Sequence, residues 1–148
     1  MKEDEALQLL KSMLDLEGAG WIEEGGFLRF RAQHGGMLWE TACRPREGAI
    51  VFYARFPFRC REPEKTLRLC GEINRQLIRG AVFPDKDASP VYRCLAELDD
   101  VYGAEDRIAS ALRYSAQVMA RWWGPLAATY CVANFINING KSKLKTKI

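Results

Sequence analysis

The stretch Gly26–Arg44, GFLRFRAQHGGMLWETACR, decides how the rest of the chain is read. Leu28, Phe30 and Ala32 are apolar and alternate with Arg29, Arg31 and Gln33. Beyond Gly35-Gly36, Met37, Trp39, Thr41 and Cys43 form the apolar set, with Glu40 and Arg44 between them. A period of two marks half-buried strands, and paired glycines supply the positive φ angles of a two-residue hairpin turn. With Gly35-Gly36 as that turn, Ala32 faces Trp39, Phe30 faces Thr41 and Leu28 faces Cys43. The same register sets Arg31 opposite Glu40, a favourable cross-strand pair on the outer face. One register satisfies both faces, so the stretch predicts a hairpin.

His34, the chain's single histidine, borders the turn. A Cys-His nucleophile pair needs contact in space and a third group to orient the base. The nearest cysteine in sequence, Cys43, falls at the far end of the proposed hairpin, so His34 reads as a solvated hairpin end. The glycine pairs at 25-26 and 35-36 make neither GxGxxG nor a GK[ST] ending and open no helix, which argues against a phosphate cradle.

Working outward, AGWIEE (residues 19–24) reads as a short leading strand, and RPREG turns the chain into AIVFYARFPF. There Ile50, Phe52, Ala54 and Phe56 share one side, with Tyr53 and Arg55 on the other. Before this meander, residues 4–16 place Ala6, Leu9, Leu10, Met13 and Leu14 on one helical face, and Gly18 and Gly20 stop the helix. After it, Pro63 opens a second helix whose stripe is Thr66, Leu69, Cys70, Ile73 and Leu77, running to a stop at Gly80. AVFPDKDASP reads as a short strand and a loop. VYRCLAEL resumes alternation, with Tyr92, Cys94, Ala96 and Leu98 against Arg93 and Glu97. A last helix covers about Ala104 to Trp123, closed by Gly124-Pro125. The order helix, three or four strands, helix, two strands, helix predicts an α+β fold, a mostly antiparallel sheet with helices packed on one face.

Length and composition set the frame. At 148 residues the chain suits one domain, and no run approaches the roughly 18–20 apolar residues of a membrane span. The acidic, amphipathic start is unlike a secretory signal, which points to the cytoplasm. Cys43, Cys60, Cys70, Cys94 and Cys131 form no CxxC or Cys/His cluster, so they read as buried thiols in a reducing compartment. Asp99, Asp100, Glu105 and Asp106 lack a Ca²⁺-loop spacing, and Asp100 or Glu105 near a helix start suits capping and the helix dipole instead. No metal and no cofactor is expected.

Residues 1–128 contain fourteen arginines, four lysines and one asparagine; residues 129–148 contain no arginine, four lysines and three asparagines. The switch suggests a domain over 1–128 and an atypical, appended tail over 129–148. All 19 acids lie before residue 141 with 18 of the 22 basic residues, so without KSKLKTKI the charge is −1. That balance does not recommend nucleic acid.

The order of elements resembles the YbjN-like family, which shares its fold with type III secretion chaperones. GEINRQLIRGAVFPDKDASPVYRCLAEL is similar to that family's second helix with an Asn-containing turn (here Asn74), short strand, loop and aromatic-bearing strand (here Phe83 and Tyr92). RYSAQVMARWWGPLA is similar to its final helix, with an aromatic pair before a proline. The resemblance covers about residues 4–128. It implies a non-enzymatic protein of the sensory transduction regulator type, or a chaperone that holds extended segments of partner proteins, often as a dimer. It implies no catalytic residue set.

Two residue patterns bear on partners. Arg29, Arg31, Arg44, Arg46, Arg55, Arg59 and Arg61 fall in the strand region beside Phe27, Tyr53 and Phe58, an aromatic-basic mix that could stack single-stranded nucleic acid. Glu23, Glu24, Glu40 and Glu47 share that region, so a solvated face is the favoured reading. Trp122 and Trp123 point about 100° apart on a helix. If Trp122 continues the core face, Trp123 needs another cover: the segment after Pro125, another subunit or a client. The expectation is therefore a protein-binding module, chaperone-like or regulatory and homodimeric. Its partner contacts would come from Trp123, Arg29, Arg31, Tyr53 and Arg55. Single-stranded nucleic-acid binding by the sheet is the alternative, and a cysteine-dependent enzyme a third reading.

Overall fold

The structure, a computed structural model, describes residues 1–130. Its elements follow in the order α1 (Glu3–Leu16), β1 (Trp21–Glu24), β2 (Phe27–His34), β3 (Met37–Arg46), β4 (Ala49–Arg55), α2 (Pro63–Gln76), β5 (Ala81–Pro84), β6 (Pro90–Glu97) and α3 (Ala104–Tyr130). The strands form one six-stranded antiparallel sheet ordered β1-β2-β3-β4-β6-β5. β6 thus inserts between β4 and β5, and the three helices cover one face.

The β2–β3 hairpin has the expected register at every position, from Leu28 opposite Cys43 to Ala32 opposite Trp39. Gly35 and Gly36 sit at φ 55° and 84°, the left-handed pair that lets a two-residue turn match the strand twist. One detail differs. Arg31 does lie opposite Glu40, but the Glu40 carboxylate takes Arg29, at 3.3 Å. In a twisted ladder the diagonal neighbour is within reach of a long side chain, and Arg29 also lies 3.5 Å from Glu24.

Strand alternation builds the core. Leu28, Phe30, Trp39, Cys43, Ile50, Phe52, Tyr92 and Cys94 point under the helices and are buried. Ala6, Leu10 and Leu14 of α1 and Ile108, Ala111, Met119 and Leu126 of α3 meet them. Each fully buried Leu, Ile or Phe stabilises by about 1.5–3 kcal/mol.

Two helix ends differ from the sequence expectation. α2 stops at Gln76, not at Gly80, because Leu77 is already extended (φ −76°, ψ 136°). The turn it opens brings β5 alongside Asn74, whose amide donates to the Val82 carbonyl (3.0 Å) and accepts from the Val82 N–H (2.7 Å). A side chain thereby closes the outer edge of β5. α3 continues through Gly124-Pro125 to Tyr130. Proline removes one helical hydrogen bond, but the extra turns bury Leu126 completely and place the Thr129 hydroxyl on Thr66 (3.3 Å). The tail expected over 129–148 lies, from residue 131, outside the described residues. Among the described residues no helix is long and apolar enough to cross a membrane.

Candidate partner-binding face

The face of the sheet turned away from the helices carries the side chains of opposite parity. Tyr53 stands between Ala42 and Arg93, and Arg55 between Glu40 and Val91. Ala42 is the small residue in the middle. Over it lies a hollow of about 250 Å³ walled by Phe27, Tyr53, Phe83, Val91, Arg29 and Arg55. The Phe27 and Tyr53 rings meet edge to face, 6.1 Å apart at 71°. Arg29 and Arg44 place their guanidiniums 5.5 and 5.4 Å from the centre of Phe27, and Arg93 lies 5.9 Å from that of Tyr53. Each such contact is worth about 0.5–1 kcal/mol at exposed sites.

The arginines divide into two kinds. Arg29 is held by Glu24 and Glu40. Arg55 is held by Asp85 (3.3 Å) and Asp87 (3.5 Å), with Ser89 accepting at 3.3 Å. These two build the walls. Arg44 and Arg93 are exposed and enter no ion pair among the described residues, so their outer N–H groups face solvent beside the hollow.

Of the five residues named from the sequence, Arg29, Tyr53 and Arg55 line this hollow. Arg31 lies on the same face but outside the hollow's wall. Trp123 is on the other side of the sheet, half-buried among Trp39 (6.4 Å), Phe56 (5.8 Å) and Phe58 (5.6 Å). The cover that the tryptophan pair demanded therefore comes from β3 and the segment after β4. Phe58, grouped from the sequence with the sheet aromatics, belongs to that buried cluster. Trp122 is also half-buried, with Arg121 over its ring at 5.0 Å. Sequence reading missed Ala42, Phe83, Val91 and Arg93 as wall or rim. The hairpin register already put Ala42 on the outward parity, and a small residue there among arginines and aromatics was the available signal.

The remaining candidates are placed as follows. His34 is exposed at the end of β2. Asp100 accepts from the Tyr102 N–H at 2.8 Å, a turn just before α3. Among the described residues no group of three or more His, Cys, Asp or Glu side chains could hold a metal ion. Cys43, Cys60, Cys70 and Cys94 are buried and free. Burial, reinforced by Cys60, pushes the Cys70 thiol up to about 11. Burial raises Cys43 and Cys94 too, and Tyr92 is held protonated by burial and by Cys94. A nucleophilic cysteine needs a lowered pKa and access; these three thiols have neither.

No family model matches the chain, and no curated protein matches it. Among solved structures the fold is similar to that of YbjN from E. coli, a protein provisionally described as a transcription regulator. The TM-score is 0.56 at 19% sequence identity, over 78% of this chain and 86% of that one. The likeness shows a YbjN-like fold.

Proposed function

We propose that the chain is a non-enzymatic protein-binding module, regulatory or chaperone-like, that takes a partner segment on the outer face of its sheet. The observation that carries this is the Ala42 hollow, a largely apolar dent whose two carboxylates, Glu40 and Asp85, are neutralised by Arg29 and Arg55, while Arg44 and Arg93, outside any ion pair among the described residues, lie over the Phe27 and Tyr53 rings at its edge. At about 250 Å³ it falls below the ~300–1,000 Å³ usual for small-molecule sites and suits one inserted apolar side chain. Such a central anchor is worth about 2 kcal/mol or more, while exposed rim charges contribute about 0–1 kcal/mol each and act on orientation and association rate. The partner segment is therefore apolar at one position and acidic on either side. Trp123, across the sheet, supports the platform from beneath.

Single-stranded nucleic acid is the less favoured occupant. Bases stack on open ring faces, and here guanidiniums already lie over Phe27 and Tyr53. In this reading a second copy of the chain is a further partner, supported by the exposed apolar side chains of Leu67 (57%) and Ile78 (90%) away from the hollow.

The test is affinity capture from the native host with the unaltered chain, with Ala42→Trp, which fills the hollow, and with Arg44→Glu/Arg93→Glu. A protein retained by the first and lost by both variants is the expected result. Partners kept by all three would end the proposal. Tight oligonucleotide binding with a steep salt dependence would favour the nucleic-acid reading.

A further inference from the structure

β6 outruns its neighbour on one side. β5 pairs with it only from Pro90 to Arg93, whereas β4 stays paired with it to Glu97. Asn74 fixes which backbone groups face outward: it holds both groups of Val82, so these point away from β6. Ala81 and Arg93 are then the pair that exchanges ladder bonds. Leu95 and Glu97, two and four residues further on, aim at the same open side. Side chains meet them there. Arg79 Nη2 donates to the Leu95 carbonyl and Arg107 Nη1 to the Glu97 carbonyl, each at 3.2 Å.

Between this edge and the first turns of α3 runs a groove of about 710 Å³, with Gly80 and Ser110 in its wall. It holds three arginines, Arg79, Arg93 and Arg107, against Glu97 and Asp106. None of these five enters an ion pair among the described residues. Arginines on an exposed edge block unwanted pairing. These two do so by occupying only carbonyl oxygens, which an incoming strand could take over.

We infer that this edge accepts a short, extended, acidic segment of a partner protein as an added strand in line with β5. The segment's N–H groups take the carbonyls of Leu95 and Glu97, and its carboxylates take the released guanidiniums of Arg79 and Arg107 in charge-assisted bonds. The four residues of β6 beyond β5 span roughly 13 Å, room for four or five residues. This site shares only Arg93 with the rim of the Ala42 hollow and does not depend on that hollow.

The test titrates the isotope-labelled full chain with a capped synthetic pentapeptide alternating glutamate and valine, read by amide shifts and amide exchange. Saturable shifts and slowed exchange at Leu95 and Glu97 are expected, with affinity at least tenfold weaker in Arg107→Glu. Arg107 is exposed in the first turn of α3, where an acid suits the helix end, so that variant keeps the fold. Binding unchanged by Ala42→Trp would set this site apart from the outer-face hollow. The inference is overturned if Leu95 and Glu97 do not respond at millimolar peptide. It is equally overturned if a lysine–valine peptide or one N-methylated at alternate amides binds as well, or if Ala42→Trp abolishes the response.

Discussion

Two glycine-to-alanine substitutions should change stability in opposite directions, and their difference tests the account of the α2–β5 turn. Gly80 has φ +74°, and a Cβ there would fall 2.2 Å from the Arg93 carbonyl oxygen and 2.9 Å from Cε1 of Tyr92. The left-handed backbone costs alanine about 1–2 kcal/mol. The contact with Arg93 is the larger effect, since a backbone atom in the β5–β6 ladder must retreat by roughly 1 Å to restore van der Waals distance. That movement threatens a ladder bond and the bond from the Tyr92 hydroxyl to the Arg79 carbonyl, 2.8 Å long. At about 1 kcal/mol for each bond, Gly80→Ala should cost about 3–4 kcal/mol. Gly71, inside α2, has nothing within 4 Å of its added Cβ, so Gly71→Ala should stabilise by about 0.5–1 kcal/mol through helix propensity. Urea unfolding would read both, with the Gly80→Ala midpoint falling by roughly 1–4 M for an m-value of 1–3 kcal/mol/M. A Gly80→Ala cost under about 1 kcal/mol, or a destabilised Gly71→Ala, would refute the reasoning.

Further outcomes follow from features already described. Pro125→Ala restores a backbone N–H inside α3 and should raise stability by about 1–2 kcal/mol, a gain of several degrees in a thermal melt. Cys70, with its thiol raised from 9.0 to about 11, should alkylate at pH 8 roughly 100-fold more slowly than a free thiol, from its thiolate fraction alone. The same shift makes stability pH-dependent: the protonated thiol favours the folded state below pH 9.0, and that contribution is lost as pH climbs toward about 11. Urea midpoints at pH 8 and pH 10.5 would check the sign. Trp39→Phe removes a buried indole N–H that has no hydrogen-bond partner among the described residues. It should therefore cost about 1 kcal/mol or less in urea unfolding, well short of the ~3–5 kcal/mol of a Trp-to-Ala core truncation.

Much of the scaffold was legible because one residue pattern had to satisfy two faces at once. The β2–β3 register follows from alternation plus paired glycines, and each cross-strand partner agrees. Pro63 and Ala104 mark helix starts by local rules alone. Gly124-Pro125 misled because local punctuation spoke for a stop, while the burial of Leu126 on a distant surface spoke for continuation and prevailed. The Glu40 partner was misassigned for a similar reason: direct opposition names Arg31, but twist brings the diagonal Arg29 closer. Strand parity placed Arg29, Tyr53 and Arg55 on one face, and there they line the same hollow. Trp123 fell on the other side, because helix angle alone does not tell which elements of a fold cover a side chain. The hollow depends on β6 arriving beside β4, and no local signal in β4 announces that neighbour.

That insertion has a kinetic consequence. β1 to β4 form a meander whose pairings join consecutive segments, so it assembles through short loops. β6 reaches β4 only by closing a loop that runs from Arg55 to Pro90 and contains α2 and β5. Loop closure of that length is slow relative to hairpin formation. During the interval β4 presents an open edge with the run Ala49-Ile50-Val51-Phe52-Tyr53, the composition that pairs readily with other chains. Refolding yield should therefore fall with protein concentration. Substitutions that speed the docking of β6 should raise that yield more than ones that strengthen the hairpins.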